Sequence, residues 1–295
     1  MFDDIVGHDF VKNYLTLAIQ EKRLPNTLLF AGPEGIGKKT LSLELAKYLT
    51  ASSRVDLTLI QPEGKSGLHS IDSVREAIDL SHQAPFDAPA KVFILDAGER
   101  MQPAAANALL KTLEEPQPTS YWILITSSMR EILPTILSRC VKLTFNPLSN
   151  QEVAQWLAKQ GIEAEAAGFS HGSIAKALQW SQDSTSKEMV DLWISFLQRK
   201  HPYSERLQIV SRLEQWVDDE DPRIKNKKAQ DLFHIAALYF RDQELRRIDS
   251  QSPYLYFPNT EHGLLFPKWE VWLEQARLGF ERNLKFSTCV ELLSV

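Results

Sequence analysis

Between residues 27 and 145 short, continuous apolar runs alternate with stretches in which apolar residues recur every three or four positions. The runs Thr27–Ala31, Leu57–Ile60, Lys91–Leu95 and Tyr121–Thr126 are too short for helices and are bounded by turn-forming residues, which predicts strands. Val141, Leu143 and Phe145 alternate with polar neighbours and predict a fifth. Leu41, Leu45, Tyr48 and Leu49 return at helical spacing after the first run, and the alanine- and leucine-rich segment Ala104–Thr112 is helical by propensity, closed off by Pro116 and Pro118. Strands alternating with helices predict a parallel sheet with crossover connections.

After Asn146-Pro147 the pattern becomes helical throughout. Ser149 or Asn150 can cap a helix running to about Gln160, where Gly161 ends it, and shorter helices are expected near 163–169 and 173–181. The polar stretch from Ser181 to Ser186 reads as a linker. Amphipathic patterns follow at 187–200, 204–217, 226–249 and 267–293, with a solvated turn at Asp218–Pro222. The expected domains are therefore 1–146, 147–182 and 187–295. Leu192, Ile194, Phe196, Leu197, Phe233, Leu238, Tyr239 and Phe240 exceed the needs of one helix face, so the last domain is expected to hold both a core and a subunit interface.

Composition narrows the classes. The 295 residues are 24% charged and 43% apolar, as in an ordinary globular chain. No apolar run is long enough to cross a bilayer and no basic-then-apolar leader opens the sequence, so a cytoplasmic protein is expected. A net charge of −5 argues against a dedicated DNA reader. Two cysteines, Cys140 and Cys289, cannot build a zinc site or a disulfide framework between them, and the seven histidines have no metal-ligand spacing.

The chemistry concentrates in Gly32-Pro33-Glu34-Gly35-Ile36-Gly37-Lys38-Lys39-Thr40. A phosphate-binding loop reads G-x-x-x-x-G-K-[ST], its lysine on the β- and γ-phosphates and its hydroxyl on Mg²⁺. Gly32, Gly37 and Lys38 fit, but Lys39 stands in the hydroxyl's place, and an ammonium cannot ligate a cation. The third strand ends in Asp96-Ala97, where a working ATPase carries one carboxylate for the metal and one for the attacking water. Ala97 supplies neither, so hydrolysis is expected to be lost. Gly32, Gly35, Gly37, Lys38, Lys39 and Thr40 remain candidate nucleotide contacts. ATP is the candidate cofactor, and whether it binds stays open at this point.

Several segments together resemble the AAA+ clamp-loader family of bacterial replication. Phe2–His8 is similar to the family's opening segment, in which Ile5 and Val6 would pack against adenine. Asn107–Pro116 resembles the helix after the second nucleotide-site strand, and Ser138-Arg139-Cys140 the family's Ser-Arg-Cys motif. The resemblance covers roughly residues 2–180. It implies an α/β AAA+ domain with a P-loop NTPase-like parallel sheet, a three-helix lid, and an all-α collar that assembles with other subunits. It further implies that Arg139 reaches into a neighbour's nucleotide site as an arginine finger. The implied partners are motor and delta subunits in a hetero-oligomer, the sliding clamp and primed DNA, with no membrane. Ala175, in Gly172–Leu178, falls where a motor subunit presents a sensor arginine. Within that resemblance, Lys39, Ala97 and Ala175 imply a DNA polymerase III holoenzyme subunit that has lost ATP hydrolysis, and no polymerase carboxylate constellation is visible in the sequence. The family's four-cysteine zinc module is absent, because residues 50–62 contain no cysteine.

Plainer readings stand beside these. The three glycines could form an ordinary strand-to-helix turn, Asp96 could end a strand, Arg139, expected in an exposed turn past a helix end, could be a structural ion-pair residue, and Lys225–Lys228, which could touch DNA phosphates, could instead be a solvated helix start. Two rival functions remain: a motor ATPase with Thr40 as metal ligand, and an AAA+ interaction protein outside replication.

Overall fold

The structure, a computed structural model, describes residues 1–2, 4–64, 67–162, 166–170, 172–198, 201–248 and 268–290. Asp3, the start of the helix expected at 163–169, His171, residues 199–200, residue 249, His262, and residues 267 and 291–293 of the last expected helix lie outside the described residues. The chain forms two compact units, Met1–Ala177 and Leu178–Val295.

The first unit runs α1 (Asp9–Gln20), β1 (Thr27–Ala31), α2 (Lys38–Leu49), β2 (Leu57–Ile60), α3 (Ile71–Ser81), β3 (Lys91–Leu95), α4 (Pro103–Glu114), β4 (Ser120–Thr126), α5 (Pro134–Leu137), β5 (Val141–Thr144), α6 (Asn150–Lys159), α7 (Ala166–Phe169) and the beginning of α8 (Ile174–Gln182). All five expected strands are present. They form one parallel sheet in the order β2-β3-β4-β1-β5. β1 and β3 are buried along their whole length, which is why their sequences read as continuous apolar runs after the polar first residues Thr27 and Lys91. Their side chains still alternate between faces. Leu28, Phe30, Val92, Ile94 and Ile123 join Leu15, Leu41 and Leu45 in one core layer. Leu29, Phe93, Leu95, Trp122 and Leu124 join Val74, Leu109 and Ile136 in the other, where Phe93 stacks on Trp122 at 4.7 Å.

Local signals fix the helix ends. Pro103 opens α4 at a position whose amide has no intrahelical partner. Of the two candidate caps of α6, Ser149 takes the role: its hydroxyl accepts from the Glu152 amide while Glu152 reaches back to the Ser149 amide. Gly161 follows the last turn at φ 72°.

The second unit holds the end of α8 with α9 (Ser184–Leu197), α10 (Tyr203–Val217), α11 (Pro222–Ile248), α12 (Trp269–Glu281) and α13 (Phe286–Val290). Trp193 is fully buried at its centre, stacked on Phe196 at 5.3 Å, with its indole N–H donating to the Leu232 carbonyl at 2.7 Å.

Three expectations need correction. The stretch Ser181–Ser186 is no flexible linker: α8 continues to Gln182 and α9 starts at Ser184, leaving Asp183 as a one-residue joint. Its carboxylate accepts from the Thr185 amide at 3.0 Å and the Ser186 hydroxyl at 2.5 Å, so the polar residues are a helix cap. The helix expected at 267–293 breaks after Glu281, where Asn283 adopts φ 65°, and resumes at Phe286. Phe196, Leu197, Phe233, Leu238, Tyr239 and Phe240 are buried within the unit itself, and only Leu192 and Ile194 of that group are half-exposed. The exposed apolar side chains of this unit are others, including Tyr203 and Leu207 on α10 and Val271 and Leu278 on α12.

Candidate functional site

The glycine-rich loop leaves the carboxyl end of β1, the position at which open parallel sheets bind ligands. The Gly32 amide donates to Thr126 at the end of β4, and Gly37 caps α2. Gly35 has φ +74°, and a Cβ there would lie 2.2 Å from Ser173 Oγ and 2.7 Å from Ala175 Cβ. The loop therefore abuts the start of α8, and the Ala175 amide donates to the Gly35 carbonyl at 3.2 Å. From the other direction His8 donates through Nε2 to the Ile36 carbonyl at 2.7 Å and leans on Phe145, its ring centroid 4.8 Å away. Burial pushes the His8 imidazole below its ordinary value, against the opposing pull of the Ile36 carbonyl and Glu152.

Lys38 is 6% exposed and donates to the Gly32 and Pro33 carbonyls, each at 2.5 Å. Desolvation lowers its pKa, and Glu99, Glu34 and Asp96 work in the opposite direction. The next side chain turns to the second nucleotide-site strand: Lys39 Nζ lies 3.0 Å from Asp96 Oδ2, an oxygen that also accepts from Gln61 at 3.4 Å. Thr40 is exposed. Ile5 is buried in the core layer with Phe2, Val11 and Phe30, while Val6 is half-buried.

The end of β3 is pinned by a residue that had drawn no role. His69, fully buried, donates through Nε2 to the Asp96 carbonyl at 2.8 Å and the Ala97 carbonyl at 3.1 Å. Ala97 sits at φ 53°, opening the short 3₁₀ turn Gly98–Arg100. Sequence reasoning also missed Glu99, whose Oε1 accepts from the Ser127 hydroxyl at 2.5 Å and its amide at 3.3 Å. Desolvation pushes the Glu99 carboxyl up, but the hydrogen bonds from Ser127 and Thr126 outweigh it and keep the group ionised. A second acidic residue three places past Asp96 was the available signal. Magnesium, which an intact loop of this kind would hold, does not fit this donor set. The hydroxyl position is an ammonium, and that ammonium already pairs with the carboxylate the metal would need.

Arg139 stands apart. It follows α5, and its carbonyl accepts from Thr27 Oγ1 at 2.7 Å. Thr27 opens β1 and the loop leaves its far end, so about 13 Å of strand separates them. The Arg139 guanidinium is half-buried rather than free in an exposed turn. It donates to the Thr135 carbonyl at 2.9 Å and pairs with Glu114 at 3.3 Å. Cys140 beside it is packed in the core, and burial pushes its thiol up to about 12. The basic run at the start of α11 is likewise paired, with Lys225 on Asp218 at 2.5 Å and Lys228 on Asp219 at 3.1 Å.

A β2-β3-β4-β1-β5 parallel sheet with a glycine-rich loop after β1 and an acidic residue after β3 defines a P-loop protein of the AAA+ class. A RuvB variant from Thermotoga maritima is similar in fold, with a TM-score of 0.50 at 18% identity, covering 92% of this chain and 96% of that one. Residues 49–149 match the family described as DNA polymerase III, delta subunit. The chain is 32% identical over 202 residues to the DNA polymerase III subunit gamma/tau of Mycoplasma pneumoniae, covering 62% of this chain and 29% of the relative. It is 31% identical over 196 residues to the replication factor C small subunit of Methanothermobacter thermautotrophicus, covering 62% of this chain and 60% of the relative. Over the matched segments the chain is therefore similar to DNA polymerase III gamma/tau and replication factor C small subunits. The matched segments span less than two thirds of either relative's length. No helix among the described residues is long and apolar enough to cross a membrane, and no group of metal-ligating side chains occurs among them.

Proposed function

We propose that this chain is a delta-prime-like subunit of a bacterial DNA polymerase III clamp loader: a subunit that does not hydrolyse ATP but supplies Arg139 to a neighbour's site. Residues 1–146 would be the AAA+ domain, 147–182 the lid and 187–295 the collar. The observation that carries the reading is the placement of Arg139 at the opposite end of β1 from the chain's own loop, too far to serve it. The occupation of the metal position by Lys39 and the lack of a carboxylate at Ala97 support the loss of hydrolysis. Thr40 is a poor substitute metal ligand, since Lys39 and not Thr40 meets Asp96, and this weighs against a motor subunit. In this reading the partners are motor and delta subunits, the sliding clamp and primed DNA, and assembly runs through the second unit, where Tyr203, Leu207, Val271 and Leu278 are exposed.

The test is reconstitution with motor and delta subunits. A finger supplied in trans is worth about 10³–10⁵ in rate at the site it serves. Arg139→Ala should therefore leave assembly intact and reduce the clamp- and DNA-stimulated ATPase of the complex. Arg139→Lys should rescue little, because a point charge does not reproduce the guanidinium fork. The isolated wild-type chain should turn over far more slowly than about 1 s⁻¹. Wild-type ATPase and clamp loading by the Arg139→Ala complex would refute the proposal.

A further inference from the structure

The mismatch between the loop and its expected metal has a chemical consequence. In a loop with the hydroxyl in place, Mg²⁺ bridges the phosphates and is held by that hydroxyl and by the acidic residue of the neighbouring strand. Here the Asp96 carboxylate meets Lys39 Nζ at 3.0 Å, and the same Oδ2 takes a second donor from Gln61 at 3.4 Å. A lysine ammonium has three donors and no acceptor. The contact with Asp96 is an ion pair, and it leaves the ammonium able to donate to an anion at the first turn of α2, where Lys39 follows Lys38 in sequence. Magnesium needs oxygen ligands at about 2.0–2.1 Å in near-octahedral array. To obtain Asp96 it would have to displace a cation already paired there.

We propose that the Gly32–Thr40 loop is a metal-independent phosphate site, which takes a nucleoside triphosphate in its uncomplexed form with the Lys39 ammonium in the position of the divalent cation. The inference deepens the reading of this loop as an AAA+ site that does not hydrolyse. It names the ionic form of the ligand and requires no hydrolysis.

The experiment measures binding of a fluorescent ATP analogue to the full-length chain, once in EDTA and once in excess Mg²⁺. Wild type should bind in EDTA and should gain nothing from Mg²⁺. Lys39→Thr, which restores the hydroxyl, should bind about tenfold or more weakly in EDTA and recover with Mg²⁺. Lys39→Arg keeps the charge and should keep binding in EDTA. Inorganic tripolyphosphate should compete and adenosine should not. Thermal melting of each variant separates lost binding from lost fold. The proposal is overturned if wild type does not bind in EDTA, if Mg²⁺ strengthens wild-type binding about tenfold, or if Lys39→Arg behaves as Lys39→Thr does while folded. Co-elution with motor subunits reads the proposed function separately: intact assembly without triphosphate binding sinks only the metal-independent site, and binding without assembly sinks only the clamp-loader role.

Discussion

Replacing Gly35 with alanine should weaken the first unit through two separable effects. The first is conformational: at φ +74° an L-residue pays the left-handed penalty of about 1–2 kcal/mol. The second is steric, since the new methyl would stand 2.2 Å from Ser173 Oγ and 2.7 Å from Ala175 Cβ. Both are well inside contact distance, and overpacking of this kind costs about 1–3 kcal/mol. The sum is about 2–5 kcal/mol. Gly161 provides the control in the same unit, because it has φ +72° and no atom within 4 Å of an added Cβ. Gly161→Ala should therefore carry the conformational term alone, about 1–2 kcal/mol. Chemical denaturation of both variants gives the difference, and hydrogen exchange of the Ala175 amide, which donates to the Gly35 carbonyl, locates it. Exchange at Ala175 should accelerate in Gly35→Ala and stay near wild type in Gly161→Ala. Equal destabilisation by the two substitutions, or an unchanged Ala175 amide in Gly35→Ala, would refute the contact between loop and α8.

Substitutions at two further positions probe each unit by itself. The Asp56 carboxylate accepts from the Phe86, Asp87 and Ala88 amides at 2.8, 3.1 and 3.1 Å. Desolvation raises its pKa, but these bonds outweigh it and the net shift is downward from 3.8. A folded value below the unfolded one contributes stability above the unfolded value that is lost as pH falls through the folded one. Asp56→Ala should lower stability at neutral pH and flatten the acid limb of a stability-versus-pH curve. In the second unit, Trp193→Ala should cost about 3–5 kcal/mol from the cavity, whereas Trp193→Phe should cost about 1 kcal/mol from the lost bond to Leu232. Urea denaturation distinguishes them, and similar losses would show that packing around Trp193 matters less than its N–H.

The strands were legible because β1 and β3 are buried on both faces and, after Thr27 and Lys91 at their first positions, carry only apolar residues. The turn before α11 was legible because Pro222 sits where a helix can begin but not continue. Ser181–Ser186 misled because serine and threonine favour both loops and first helical turns, and only the Asp183 side chain decides between them. The break after Glu281 had a faint signal in Asn283, a residue that tolerates positive φ. For the site, residue types were readable and proximities were not. The motif announced that Lys39 cannot bind metal, but not that it reaches Asp96, far along the chain. Nothing in the spacing brings Ser173 and Ala175 onto Gly35, or Glu114 onto Arg139. Those contacts arise from how parallel strands and their crossovers are layered.

The packing of the two cysteines has a practical consequence. Cys140 and Cys289 are the chain's only thiols, and both are buried and unpaired. Desolvation raises the pKa of each, so at neutral pH neither offers an appreciable fraction of the reactive thiolate. The native sequence is thus a quiet background for maleimide chemistry. A cysteine substituted for Phe10, whose side chain is 79% exposed, would take a dye in preference to the native pair. Fluorescence measurements on a labelled chain could then proceed with both buried sulfurs left in place.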